Sequence, residues 1–196
     1  MDLSALNFER FSILRLSLRK LYILPYLLYS FMKFTIKERV PFKTALAQKT
    51  GDREKIIRFI RRWIASDPFE NRQSKREELE WYTPSNLKKS SYLLFSANSA
   101  DKNILGACSA EFYARNLIWI DWLITDSQYR RQGIGKAIIE ELIEYARKKG
   151  VYNLLCDSLA SNKESRKFLK KLGFKKIGKI KKHWGKQDYY LWEYLL

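Results

Sequence analysis

Cysteine and histidine are almost absent from this chain. Its 196 residues include two cysteines, Cys108 and Cys156, and one histidine, His183. Two cysteines make no disulfide framework of the kind that staples small secreted domains, and their reduced state suits the cytoplasm. A Cys/His zinc site needs more ligands at closer spacing, and a serine-protease triad would have to be built on the single histidine; the composition argues against both. Long apolar runs are also missing. The best candidate, LYILPYLLYSF over 21–31, is short, tyrosine-rich and interrupted by Pro25, which makes it a poor membrane-spanning helix. From Arg10 to Lys37 there is no acidic residue at all. No convincing cleavage site marks this stretch as a signal peptide.

What the chain does have is apolar and positive. Apolar residues make up 46% and aromatics 15%, enough to build a core, and the formal net charge is +17. Such a field attracts something anionic: a polyphosphate ligand, a nucleic acid or ribosome, or a membrane surface. Residues 1–31 read as a basic, apolar N-terminal extension. Its possible roles are a helix packed on the domain or on a second subunit of a homodimer, a membrane-surface helix giving peripheral attachment, and an Arg-rich organellar presequence. Residues 32–196 read as one domain.

Within 32–90 the pattern predicts a short strand at FTIKERV (34–40) and then helices. In DREKIIRFIRRWIAS, Ile56, Phe59, Ile60, Trp63 and Ile64 recur at helical spacing, with a basic opposite face that reads as solvated. Ser74 and Glu77 have the spacing of a capping box at the start of SKREELEWY, and Pro84-Ser85 ends that helix. Beyond residue 90 the elements follow closely. SYLLFSA is a strand. ILGACSAEFYA and LIWIDWLIT form a hairpin turning at Arg115-Asn116. GKAIIEELIEYARKK is a helix with Ala137, Ile138, Leu142, Tyr145 and Ala146 inward and Gly150 as its stop. VYNLLCDS must then lie parallel to LIWIDWLIT, because a helix crosses between them. Asn162 caps a helix over NKESRKFLKK that Gly173 closes, and FKKIGKI and YYLWEYL complete the sheet around a basic turn.

The loop YRRQGIGKA (129–137) lies between a strand and a helix. Gly133 and Gly135 carry no side chains, so a ligand can approach the main chain. The helix behind them offers free N–H groups and the positive end of its dipole, and Arg130, Arg131 and Lys136 add full charges. These features suit a pyrophosphate cradle, or else a plain tight turn. The third glycine of a dinucleotide fingerprint is missing, and so is a Walker loop.

Residues 130–135, RRQGIG, match the R/Q-x-x-G-x-G/A pyrophosphate loop of the GNAT N-acetyltransferase superfamily, and the order of elements matches around them. SNKESRKFLKKLGFKKIG resembles the second signature of that family through Asn162, Phe168, Gly173 and Phe174. The resemblance covers residues 91–196 well and 32–90 by element order. It implies an α/β fold of α+β type, with a mixed, mostly antiparallel central sheet flanked by helices. It implies acetyl-CoA as acetyl donor and an amine as acceptor. Carried over, the main chain of Leu123, Ile124 and Thr125 would bond the pantetheine arm, and the loop Arg130, Arg131, Gln132, Gly133, Ile134, Gly135 and Lys136 would hold the pyrophosphate. Asn162 and Phe168 would flank the far end of the arm.

Transfer to an amine needs a group to take the proton of the amine and a way to protonate the leaving thiolate. Strict alternation along LIWIDWLIT places Trp119, Asp121 and Leu123 on one face, so Asp121 is a carboxylate inside an apolar strand. Such a residue has either a basic partner or a task, and Asp121 is the candidate catalytic base. Glu111 is a second candidate. The tyrosine that many family members carry after the aromatic of the second signature is Leu169 here, so the acid is missing. Tyr113, Tyr152 or water could substitute; otherwise the thiolate leaves unassisted, or the chain is a non-catalytic acyl-CoA-binding or interaction protein. Cys156 reads as a small core residue. The net charge disfavours polycationic acceptors unless local acids offset it, and is compatible with an anionic or neutral amine or with a protein bound to nucleic acid.

Overall fold

The computed structural model of the protein describes residues 40–47, 50–87 and 92–196. The N-terminal extension lies outside these residues, as does all of the expected FTIKERV strand except Val40. The first described strand is β1 (Phe42–Leu46). It is followed by β2 (Tyr92–Ser99), β3 (Ile104–Ala114), β4 (Leu117–Thr125), β5 (Asn153–Leu159), β6 (Lys175–Ile180) and β7 (Tyr189–Leu195). Helices α1 (Thr50–Ser66) and α2 (Arg72–Trp81) and the short α3 (Pro84–Leu87) separate β1 from β2. Helix α4 (Ile134–Lys148) joins β4 to β5, and α5 (Lys163–Leu172) joins β5 to β6.

Among the described residues the strands form one sheet in the order β1-β2-β3-β4-β5-β7-β6. Every neighbouring pair is antiparallel except β4 with β5, which the α4 crossover makes parallel. The mixed, mostly antiparallel sheet with flanking helices is thus the observed architecture. Both faces of its centre are covered. On one face Ile134, Ile138, Leu142 and Ala146 of α4 and Leu169 of α5 pack on Leu93, Phe95, Cys108, Ile118, Ile120 and Trp192. On the other, Ile56, Ile57, Phe59, Ile60 and Ile64 of α1 pack on Leu94, Ala107 and Ile124. Double coverage is why β2 begins with a continuous apolar run rather than with alternation.

The capping box expected at Ser74 and Glu77 is not what starts α2. Asn71 is the N-cap, with its Oδ1 accepting from the Ser74 amide at 2.9 Å. That frees Glu77, whose Oε2 accepts from the Gly185 amide at 3.2 Å, while Asn71 Nδ2 donates to the Gly185 carbonyl at 2.7 Å. The β6–β7 turn is therefore fastened to the start of α2. Contact at this point requires glycine. A Cβ on Gly185 would sit 2.5 Å from Asn71 Oδ1 and 2.8 Å from Ser74 Cβ, on a backbone with φ +55°.

Gly185→Ala should therefore loosen the turn from α2. The expected cost is about 1–3 kcal/mol, read as a lower denaturation midpoint together with faster proteolysis between residues 181 and 188. Wild-type values for both would show that the turn does not depend on this contact.

Candidate functional site

Strands β4 and β5 pair only from Leu117 opposite Asn153 to Ile120 opposite Cys156. Beyond that point β4 continues to Thr125 along β3, and β5 continues to Leu159 along β7, no longer beside each other. The sheet forks. From Asp121 onward the β5-facing edge of β4 has no strand partner among the described residues, so its main-chain amides and carbonyls suit an amide-bearing ligand.

The fork begins at a bulge. Ala110 pairs with Ile120 and Ser109 with Trp122, which leaves Asp121 as the extra residue. The bulge resets the alternation of β4. Ile118 and Ile120 pack toward α4, whereas Trp122 and Ile124 pack toward α1. Leu123, expected on the Asp121 face, packs toward α4 instead. That expectation fails because the inserted residue inverts every side chain after it.

The loop joins the end of β4 to α4. Gly133 is the N-cap of α4 with φ +88°, no side chain caps this helix end, and a Cβ at Gly133 would meet nothing within 4 Å. The start of α4 is thus approachable through Gly133. Arg131 also has positive φ (+67°), unusual for a residue with a side chain and a mark of a backbone shaped for a purpose. Gly135 is close-packed instead: a Cβ there would lie 3.3 Å from both Thr125 Oγ1 and the Phe168 ring. Thr125, Gly135 and Phe168 therefore meet where the fork opens onto the loop. Ile134 is buried and anchors α4 in the core.

The remaining residues of the expected cofactor set are placed as follows. Gln132 Oε1 accepts from the Val40 amide at 3.1 Å, tying the loop to the segment before β1. The Arg130 guanidinium turns toward α1, 5.5 Å over the Trp63 ring, with Nε 3.4 Å from the Thr125 carbonyl. Lys136 is exposed and lies 3.5 Å from Glu140. Asn162 caps α5 through a 3.0 Å bond from the Ser165 amide, so its oxygen serves the helix.

Asp121 has one carboxylate oxygen, Oδ2, shut off from solvent and without a hydrogen-bond partner. Burial raises its carboxyl well above the ordinary range, and the charges of Glu111, Glu78 and Asp157 push it further. The Tyr82 hydroxyl pulls weakly the other way, but it is hydrogen-bonded to Ser109. No lysine or arginine forms an ion pair with Asp121 among the described residues. The salt bridge that could have explained this residue is not there.

Three further acids share the face, and none was singled out from sequence. Glu78 of α2 accepts from Trp122 Nε1 at 3.0 Å, and burial pushes its carboxyl up to about 7. Glu70 is raised by burial while the Tyr189 hydroxyl lies 2.7 Å from both its oxygens. Asp157, one residue past the last β4–β5 pair, lies 3.5 Å from His183 Nε2, and that contact raises the imidazole above its ordinary value. Ser74, Glu78 and Tyr82 are four apart and mark a polar stripe on α2. Sequence alone gives no sign that the stripe faces β4.

Neither proposed tyrosine acid is placed here. Tyr113 and Tyr152 flank Leu117 and Ile118, at the closed end of the fork, and are 76% and 68% exposed. Leu169 is in the core. Cys108 and Cys156 are buried, and burial raises both thiols, so neither offers a thiolate.

The sequence pattern of the acetyltransferase (GNAT) family matches residues 57–174. A glucosamine 6-phosphate N-acetyltransferase of Trypanosoma brucei brucei is 41% identical over 56 residues, which is 29% of this chain and 36% of that protein. The chain thus spans about a third of the length of this curated relative. Two solved structures share the fold. A ribosomal-protein-S5-alanine acetyltransferase of Vibrio fischeri superimposes with TM-score 0.60 at 20% identity, over 79% of this chain and 92% of that one. A spermidine/spermine N-acetyltransferase of Vibrio cholerae gives 0.58 at 15% identity, over 79% and 92%.

The raised acids set a direction for stability against pH. Glu78 and Asp121 bind protons more tightly folded than unfolded, as does His183. Their contribution is complete below the unfolded pKa values and is lost as pH rises through the folded ones. The melting temperature should fall between about pH 5 and about pH 8, and fall less in Glu78→Gln, by differential scanning fluorimetry. A variant with the wild-type slope would show that Glu78 titrates normally.

Proposed function

Because the chain belongs to the acetyltransferase (GNAT) family, we propose that it moves an acetyl group from acetyl-CoA to a primary amine of a small molecule or protein. The observation that carries this reading is the fork, with a free strand edge on one side, an uncapped helix start beyond it and an unpartnered carboxylate oxygen at its origin. The residues present suit acetyl-CoA. The edge of β4 over Leu123, Ile124 and Thr125 takes the amide-bearing arm as an added strand would pair. The amides from Arg131 to Lys136 take the pyrophosphate at the start of α4, where the helix dipole favours negative charge. Phe168 closes the side of that path next to Gly135. Acetyl-CoA supplies the thioester; the chain supplies position and a proton acceptor.

Asp121 is that acceptor. A primary amine arrives as an ammonium with a pKa near 10, and an ordinary carboxylate near 4 is a poor match for its proton. Raising the carboxyl narrows the gap, and each unit removes about 1.4 kcal/mol from the uphill transfer. The neutral amine would then attack the thioester carbon: the C–N bond forms, the C–S bond breaks, the second nitrogen proton passes to solvent and the departing thiolate takes a proton from solvent. The extension over residues 1–31 belongs in this reading to attachment at an anionic surface, on the strength of its basic and apolar content.

Saturating acetyl-CoA should stabilise the wild type by about 2.7 kcal/mol at a hundredfold excess over Kd, roughly a 5–10 °C rise in Tm for a domain of this size. Gly133→Val should abolish that rise by filling the approach to α4. A folded variant that keeps it would remove the loop from the site.

Asp121→Asn retains shape without basicity. Turnover should drop about 100-fold, with acetyl-CoA affinity unchanged by calorimetry. Wild-type turnover would rule out this base.

A further inference from the structure

The net charge of +17 raises the expectation that buried acids will be neutralised by lysine or arginine. On the acceptor side of the fork they are not. Glu78 is held by an indole N–H and Glu70 by a phenol, both neutral donors. Asp121 Oδ2 has no partner. Among the described residues none of these three joins an ion pair, although 38 lysines and arginines are present in the chain. Arg61 of α1 does reach this end of α2, but it donates to the Leu79 and Tyr82 carbonyls instead. Among the described residues the basic side chain paired within the group is His183, 3.5 Å from Asp157.

Side-chain contacts connect these acids into a track. Asp121 is adjacent to Trp122, whose indole donates to Glu78. Asp157 leads to His183, whose ring lies 5.5 Å from Tyr189, whose hydroxyl reaches Glu70. The track starts at the fork and ends where the β6–β7 turn is fastened to α2. All four acids are partly exposed, so a ligand can reach them. Acids held by neutral donors and interleaved with Trp122 and Tyr189 suit ammonium groups, which gain from carboxylate charge and aromatic faces together.

Resting on the transferase reading above, we propose that the acceptor is an aliphatic diamine or polyamine, its reacting nitrogen at Asp121 and its remote ammonium held by Glu78 and Glu70. The acids supply the local offset that a strongly basic chain needs to admit a polycation. The raised carboxyls agree with this assignment: burial raises them first and neighbouring acids add to it, and a cation that enters offsets both. An anionic acceptor such as an amino-sugar phosphate would meet repulsion on the same surface.

Three four-carbon amines that differ only at the far end test the assignment on the full-length protein: 1,4-diaminobutane, butylamine and 4-aminobutanoate. Thiol release from acetyl-CoA should give the diamine a kcat/KM at least about tenfold above butylamine, with 4-aminobutanoate lower still. Glu70→Gln and Glu78→Gln should each raise KM for the diamine and bring its advantage over butylamine toward one, and added salt should shrink it too. Equal use of butylamine or 4-aminobutanoate would overturn the inference and leave the transferase reading in place, as would full diamine preference in both folded variants. If no amine releases thiol, calorimetry with coenzyme A present decides. Selective binding of the diamine, lost in Glu70→Gln and Glu78→Gln, would keep the acids as a diamine site and count against transfer to it; binding without selectivity, or no binding, would overturn the inference and leave the transferase reading to other amines.

Discussion

The parting of β4 from β5 after Ile120 organises everything around it. Each strand is held on its other side, β4 by β3 and β5 by β7, so the two can diverge without either losing its place. The bulge at Asp121 adds local twist just where pairing stops. It also puts Asp121 and Trp122 on the α1 side of the sheet, beside Glu78. The loop that starts α4 follows directly from the free end of β4. Full pairing of β4 and β5 would satisfy more backbone groups and leave no room for a ligand's amides. The open edge is a departure from local consistency of the kind that folds tolerate at functional sites.

Charge is segregated on the two sides of this fork. Basic side chains and free amides gather at the loop, where a polyanion is expected, while the acids gather along α2, β4 and β5. A net charge says little about such an arrangement, because fields at a site are set by groups within a Debye length and by how far they are desolvated. Glu78 and Asp121 are withdrawn from water, and burial is the first cause of their raised carboxyls, with neighbouring acids adding to it. Stability is given up to keep them there. The neutral donors Trp122 and Tyr189 keep the carboxylates in position without cancelling them.

Much of the fold was legible because its signals are local. The hairpin turning at Arg115-Asn116, the helix ending before Gly150 and the Asn162 cap were all readable from spacing and turn chemistry. The parallel β5 followed from the length of the crossover alone. Asp121 stood out because a carboxylate is rare in an apolar strand. Its geometry did not, since a bulge carries no composition signal and strict alternation put Leu123 on the wrong face. At α2 two overlapping cap patterns competed, and Asn71 prevailed over Ser74 because its main chain is extended and its side chain also secures Gly185. The acid track was illegible. Glu78, Asp121 and Asp157 come from three separate elements and Glu70 and His183 from two connecting segments, and they meet only through tertiary packing.

The missing tyrosine after Phe168 also has a physical reading. Leu169 completes the core under α5, so this position serves packing and offers no proton. Its loss matters less than loss of the base would. Once the attacking nitrogen has given up its proton it could leave only as a strongly basic amide ion, whereas the sulfur leaves as the anion of a thiol with a pKa near 8.5, so the sulfur is the better leaving group. Removal of the amine proton decides the direction of transfer, and protonation of sulfur can follow from solvent. A chain that buries a carboxyl at Asp121 and raises it well above its ordinary range, and spends residue 169 on the core, distributes its residues in the order that chemistry demands. His183 adds an imidazole within the same face, raised above its ordinary value by its contact with Asp157 at the mouth of the fork.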